Sequence, residues 1–248
     1  MTFEYSDQNF FDAIDNNDIN ALSKEIDKHI KVFGRIDPNL IINGRNLIYA
    51  AAEQENEEIF NLLLQNSANI NFYALEEAIK RNSINVVKFL LSHGADPNAI
   101  KDRFEWTPLH EASKRGNFEI AKLLLEHDVD VNARTKEGIT PLYFATTFNN
   151  ITTINLLLSH NADPNIGDNN NLTPLHVAAI LNNIDAIKIL LSHHADPNIK
   201  DYKHKMTPKE TAESRGNHEA VKILSTPIFT SEPFDSAMID YIKSIQLI

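Results

Sequence analysis

Thr107-Pro108-Leu109-His110 is the stretch of sequence that decides the fold, because it returns along the chain at a nearly fixed interval. The copies are Thr140-Pro141-Leu142-Tyr143, Thr173-Pro174-Leu175-His176 and Thr207-Pro208-Lys209-Glu210, at steps of 33, 33 and 34 residues. A second motif keeps the same interval and runs through Asp96-Pro97-Asn98, Asp130-Val131-Asn132, Asp163-Pro164-Asn165 and Asp196-Pro197-Asn198. A period of this length indicates an array of structural repeats.

Each copy begins with residues that favour the start of a helix. The Thr107 hydroxyl can accept an unpaired backbone N–H, and Pro108 suits the first helical position because it has no N–H to leave unpaired. Gly116 suits the left-handed residue that ends this first helix, and the equivalent positions hold Asn149 and Asn182. A second helix then carries apolar residues at helical spacing, namely Ile120, Leu123 and Leu124. Neither helix can bury its apolar face alone, so we expect successive repeats to stack.

These motifs resemble the ankyrin repeat, a unit of about 33 residues that has a Thr-Pro-Leu-His signature. The resemblance is most specific from about Ala95 to Leu224. It implies an all-α ankyrin-repeat solenoid of about seven helix-turn-helix units, joined by short β-turn fingers. In this family the fingers and the first helices form a concave surface that binds protein segments, and the repeats carry no catalytic residues of their own.

The same register extends toward both ends of the chain. Units centred near Ala51 and Ala78 lie only 27 residues apart, and the shortening falls between Asn71 and Tyr73, so we expect no finger between the second and third units. We predict three regions, namely a degenerate N-terminal capping repeat and loop (1–42), ankyrin repeats (43–225) and a C-terminal tail (226–248). The tail has apolar residues at helical spacing, which we interpret as a short amphipathic helix on the last repeat; the alternative is a free partner-binding peptide.

The composition of the chain argues against some classes of partner and of location. The net charge of −11 repels nucleic acid and anionic lipid, and no apolar run approaches the roughly 20 residues that cross a bilayer. The chain has no Cys and no basic, apolar secretory signal at its start, so we predict a cytoplasmic location. We also predict that the chain is a monomer. One hypothesis for its origin is an effector that an intracellular bacterium delivers into a host cell.

The histidines were the strongest candidates for chemistry. His93, His127, His160 and His193 recur at steps of 34, 33 and 33, but each belongs to a different repeat, and adjacent helices about 8–10 Å apart cannot share one zinc ion. We therefore predict no metal and no cofactor, and interpret these histidines as loop residues. The resemblance implies that His110 and His176 form hydrogen bonds between repeats, so we predict no catalytic residue.

The resemblance also points to a partner-binding surface. Its variable positions, many of them apolar, fall on Arg103, Phe104, Trp106, Lys114, Arg115, Ile139, Phe148, Leu172, Ile180, Leu181 and Met206. Four of these directly precede a Thr-Pro pair, or its equivalent, and should line up as a stripe roughly 30 Å long: Trp106, Ile139, Leu172 and Met206. The alternative is that each side chain only covers the adjacent finger. We interpret Lys114, Arg115 and the neighbouring basic residues as part of a mixed, solvated face.

Two further inferences follow from the family. Ankyrin turns are substrates of a eukaryotic asparaginyl hydroxylase, and the candidate positions here are Asn98, Asn132, Asn165 and Asn198. The alternative is that these asparagines only stabilise their turns. For function we predict an adaptor or inhibitor that binds another protein; the alternative is the targeting portion of an enzyme, or a cryptic enzyme in the irregular N-terminal 100 residues.

Overall fold

The computed structural model describes residues 8–33, 41–42, 45–66, 72–100 and 102–226. The chain divides into two compact units, Met1–Lys101 and Asp102–Ile248. Within the described residues there are fourteen α-helices in sequential pairs and one pair of two-residue strands. This architecture confirms the predicted all-α fold of about seven helix-turn-helix units.

The first unit contains three helix pairs. The helices are α1 (Gln8–Asp15), α2 (Ile19–Phe33), α3 (Leu47–Glu53), α4 (Glu57–Gln65), α5 (Phe72–Lys80) and α6 (Ile84–Ser92), and a hairpin of β1 (Ile41–Ile42) and β2 (Arg45–Asn46) precedes α3. The first helices of the pairs pack in chain order, α1 on α3 and α3 on α5. Asn46 begins α3, since its side-chain oxygen accepts the N–H groups of Ile48 and Tyr49.

The second unit contains four helix pairs. They are α7 (Pro108–Arg115) with α8 (Phe118–Leu125), α9 (Pro141–Thr147) with α10 (Ile151–Ser159), α11 (Pro174–Leu181) with α12 (Ile184–Ser192), and α13 (Pro208–Arg215) with α14 (His218–Ser225). First helices pack on first helices and second helices on second helices, in the order of the sequence. Their apolar residues form the core, from Leu109 and Ala112 in α7 to Ala212 and Ala220 in the last pair.

The predicted helix boundaries are confirmed in this unit. Thr173 accepts the backbone N–H of His176 in a capping box, and Thr140 accepts that of Tyr143. The residues that end the first helices have the left-handed φ expected of them: 70° at Gly116, 54° at Asn149 and 55° at Asn182.

Asparagines join neighbouring repeats, a role that the sequence did not reveal. Asn150 precedes α10, and its side-chain amide donates to the carbonyls of Ser113 and Lys114 at the end of α7, at 2.8 and 3.1 Å. Asn183 donates in the same way to Thr146, and Asn217 donates to Ala179 and Ile180. Each bond satisfies carbonyls that the end of a helix leaves without an intrahelical partner.

Two predictions fall on residues outside the described ranges. Helix α4 ends at Gln65 and α5 begins at Phe72, whereas α8 ends at Leu125 and α9 begins at Pro141, so the connection between the second and third pairs is short. The absent finger itself lies in residues 67–71, which are not described, as are residues 227–248 of the tail. The boundaries of the three predicted regions remain predictions.

Candidate functional site

The fingers of the second unit are the loops that precede each first helix: residues 102–106, 134–139, 167–172 and 201–206. Each of the last three fingers donates a backbone hydrogen bond to the one before it. Lys136 N donates to Phe104 O at 3.0 Å, Asn169 N to Glu137 O at 2.9 Å, and Tyr202 N to Asn170 O at 2.8 Å. We use the name finger face for these fingers together with the first helices that follow them: residues 102–115, 134–148, 167–181 and 201–215.

The four residues of the predicted stripe are all half-buried: Trp106, Ile139, Leu172 and Met206. The backbone of the last three is held by the preceding repeat or by their own finger. His110 Nε2 donates to the carbonyl of Ile139 at 3.0 Å, and His176 Nε2 donates to that of Met206 at 3.1 Å. Leu172 instead exchanges hydrogen bonds with Asp168 in its own finger. All four residues belong to the finger face, and their alignment into one stripe remains a prediction.

His110 and His176 are buried structural groups. In His110 the Nδ1 atom accepts hydrogen bonds from the backbone N–H of Thr107 at 3.1 Å and from its hydroxyl at 2.8 Å, which leaves the proton on Nε2. Burial lowers the pKa of His110 to about 4, and it also lowers the pKa of His176. Tyr143 stands at the equivalent position, and burial, followed by the charge of Asp168, raises its pKa to about 12. All three groups are uncharged near neutral pH.

An aromatic cluster lies where the first finger meets α9. The rings of Trp106 and Phe144 have centroids 4.5 Å apart, and the Trp106 Nε1 atom is buried without a hydrogen-bond partner. The ammonium group of Lys114, at the end of α7, lies 5.5 Å from the centre of the Trp106 ring and 5.9 Å from that of Phe148. Lys114 thus contacts both the first finger and the end of α9.

Large apolar side chains of the second unit are exposed on this face. Phe104 is 45% exposed, Phe148 50% and Leu181 45%, whereas Ile180 is half-buried. The sequence analysis missed Tyr202, which is 62% exposed. The sequence does contain a sign that this finger differs from the others: the step of 34 between Thr173 and Thr207 places one extra residue in it. Among the described residues of this unit, every exposed large apolar side chain lies on the finger face.

The basic candidates have different environments. Arg115 forms a salt bridge with Glu111 on the same helix. Arg103 is exposed, and its guanidinium carbon lies 5.2 Å from the centre of the Phe104 ring. Lys205, which was not predicted, lies 5.7 Å from the centre of the Tyr202 ring. Exposed aromatic rings and cations are therefore adjacent at three places on this face.

The recurring histidines end the second helices. Nδ1 donates to the carbonyl four residues earlier in each case: His93 to Phe89, His127 to Leu123, His160 to Leu156 and His193 to Ile189, at 2.8–3.0 Å. These bonds satisfy carbonyls at the helix ends. In the described part of the chain, no group of three or more His, Cys, Asp or Glu side chains is arranged to hold a metal ion.

The candidate asparagines lie in turns of one kind. A preceding Asp side chain accepts the backbone N–H of each one, for example Asp96 from Asn98 at 2.8 Å. Asn132 and Asn165 also bridge repeats, because their side-chain oxygens accept the N–H groups of Asp163 and Asp196. The Asn198 side chain donates instead to Asp196 in its own turn.

Stacked helix pairs with hydrogen-bonded fingers define a repeat protein. A family model described as ankyrin repeats, in three copies, matches residues 10–101, 75–168, 130–201 and 164–231. The chain belongs to the ankyrin-repeat family, whose members are in general protein–protein interaction modules. No curated protein sequence matches the chain. Within the described residues, no helix is both long and apolar enough to cross a membrane.

Proposed function

We propose that the chain works as an adaptor or inhibitor that binds a segment of another protein on its finger face. One observation carries the proposal: among the described residues of the second unit, the exposed large apolar side chains are all on this face, which also contains the four half-buried residues of the predicted stripe. Exposed apolar patches on soluble proteins commonly mark interaction sites, because water contact with them is unfavourable. A cytosolic adaptor, including one delivered into a host cell, would use the surface in the same way.

The contacts of Lys114 support one continuous site. Its ammonium group lies over rings from a finger and from the end of a first helix, so an extended or helical segment could contact both. The half-buried stripe would form the base of that contact. Phe104, Phe148, Leu181 and Tyr202 would flank it as exposed anchors. A few residues supply most of the affinity at protein interfaces, and aromatic side chains are prominent among them.

The experiment is affinity capture from cytosol with Phe148→Asp and Leu181→Asp combined in one variant. Both side chains are exposed, so we expect each substitution to cost at most about 0.5 kcal/mol of stability while it removes the captured partner. Trp106→Asp and Leu172→Asp are poorer probes, because both residues are half-buried and their loss would also destabilise the fold.

The matched control combines Thr152→Asp and His218→Asp, two exposed positions in the first turns of second helices. It introduces two aspartates away from the finger face, and we expect it to retain the partner. A partner that mass spectrometry identifies equally with wild type and with the Phe148→Asp–Leu181→Asp variant would contradict the proposal.

A further inference from the structure

We propose that the partner segment is acidic as well as apolar, with carboxylates placed next to its large apolar side chains. The inference rests on the proposed function, because it assigns a chemistry to the occupant of the finger face. The charges and contacts of the described residues on that face carry it.

Cations lie beside the exposed aromatic rings of the face. Arg103 lies over Phe104, Lys114 over Trp106 and Phe148, and Lys205 over Tyr202. None of the three cations forms a salt bridge with a described residue, so each can pair with a carboxylate of a ligand. A ligand that places an apolar side chain on the ring and a carboxylate on the cation would satisfy both.

Most carboxylates of the face are already engaged within the protein. Glu111 pairs with Arg115, and Asp168 accepts the N–H groups of Asn170 and Leu172. Asp201 accepts three backbone N–H groups, and Glu210 accepts the N–H and hydroxyl of Thr207. Burial raises the pKa of Asp201, but its backbone hydrogen bonds together lower that pKa below the ordinary value. The bonds from Thr207 lower the pKa of Glu210. A basic ligand would therefore meet few carboxylates on this face that are not already in a hydrogen bond or salt bridge.

The balance of exposed charge on the face differs from that of the whole chain. Arg134, Lys136 and Lys203 add to the cations described above. Among the described side chains of the face, the exposed carboxylates with no hydrogen bond or salt bridge are Glu105 and Glu137. The whole chain has a net charge of −11. In the second unit, the second helices carry three acids and three lysines, namely Glu119, Asp185 and Glu219 with Lys122, Lys188 and Lys222. An acidic segment would therefore be attracted to the finger face more strongly than to the second helices.

The test is selection of random displayed peptides on the full-length chain, followed by kinetic measurement of the enriched peptides. We expect enriched sequences that combine Asp or Glu with large apolar residues. A variant with Arg103→Gln, Lys114→Gln and Lys205→Gln should slow their association by about tenfold at low salt, and high salt should remove the difference. The matched control is Lys122→Gln, Lys188→Gln and Lys222→Gln on the second helices, which should leave association unchanged.

Each other outcome decides against the inference. Enrichment of neutral or basic peptides that the Phe148→Asp–Leu181→Asp variant no longer binds would overturn the acidic partner and leave the proposed function standing. Peptides that bind this variant as well as wild type, or the absence of any enrichment, would overturn both. If the two glutamine variants slow association equally, the effect depends only on the net charge of the chain, and the inference is overturned. Displacement by a synthetic peptide of residues 227–248 would identify the chain's own acidic, apolar C-terminal sequence as the occupant instead of a separate partner.

Discussion

His110 connects two repeats through opposite sides of one ring. Its Nδ1 accepts two hydrogen bonds from Thr107 at the start of α7, and its Nε2 donates to Ile139 in the next finger. Only the neutral ring can accept on one side and donate on the other. Protonation would place a second N–H against the N–H of Thr107, so the contact depends on pH.

At the scale of this residue we predict a loss of stability as the pH falls. The pKa of His110 is about 4 in the folded chain and 6.5 when it is exposed, so the unfolded chain binds the proton first. The stabilisation is complete above about pH 6.5 and declines toward about pH 4, by about 2 kcal/mol between about pH 7 and pH 5. His110→Gln should be less stable near pH 7 and lose less on acidification. Urea unfolding of both proteins at the two pH values measures this, and equal losses would contradict it.

A second residue-scale prediction concerns the turn asparagines. In a cytosol that contains the asparaginyl hydroxylase, we expect a higher fraction of Asn198 to gain oxygen than of Asn132 or Asn165. The side chains of Asn132 and Asn165 form hydrogen bonds with the next repeat, which must break before the turn can enter an enzyme, whereas Asn198 bonds within its own turn. Peptide mass spectra provide the fractions. No oxygen addition at any of the four candidates, Asn98 included, would reject the modification.

Neighbouring fingers are in close contact at Gly138 and Asn169. At Gly138 the φ is 81°, and an added Cβ would lie 2.5 Å from Oδ1 and 2.9 Å from the backbone N of Asn169 in the next finger. Gly216 has a similar φ of 71°, but nothing lies within 4 Å of the place where its Cβ would be. The two glycines therefore share the backbone requirement and differ in the contact between fingers.

At the scale of the fingers we predict that Gly138→Ala costs about 1–3 kcal/mol more stability than Gly216→Ala. Both variants place a side chain on a left-handed residue, so the difference reports the close contacts at Gly138, which are with Asn169 and with the Arg134 guanidinium at 2.6 Å. Chemical denaturation of the two variants and wild type gives the comparison. Equal losses would mean that the second and third fingers are not in contact in solution.

The sequence predicted the elements well where the determining contacts are local. Thr140 and Thr173 with their prolines begin helices, and Gly116 and Asn182 end them, because capping acts within a few residues of the chain. The hydrogen bonds that the Asn150 side-chain amide donates, and the position of Lys114 near two rings, were not predicted. Those contacts join residues of different repeats, and the same asparagine or lysine would fit an exposed turn equally well.

The candidate surface was predicted only in part for the same reason. Position in the repeat identified Phe104, Phe148 and Leu181, which are exposed. It also selected Trp106, whose half-buried ring packs on Phe144, and it missed Tyr202 in the finger with an extra residue. Exposure depends on how each repeat packs on the next, which a position in the pattern does not specify. Whether these residues bind a partner remains a prediction.

Over the second unit as a whole, the two kinds of helix present different surfaces. The first helices and fingers present exposed aromatic rings with neighbouring cations, whereas the exposed groups of the second helices are polar and include both acids and lysines. This asymmetry is the basis of the proposed function, because a repeat array that bound nothing would gain no advantage from exposed rings on one side.

Hydrogen exchange of the full chain with and without a selected peptide tests the binding surface most directly. We predict slower exchange in the fingers at 102–106, 134–139, 167–172 and 201–206, and at the ends of α9 and α11, because these segments carry the proposed contacts. Exchange in α8, α10 and α12 should stay unchanged at the same peptide occupancy. Protection confined to the second helices, with the fingers unaffected, would contradict binding on the finger face.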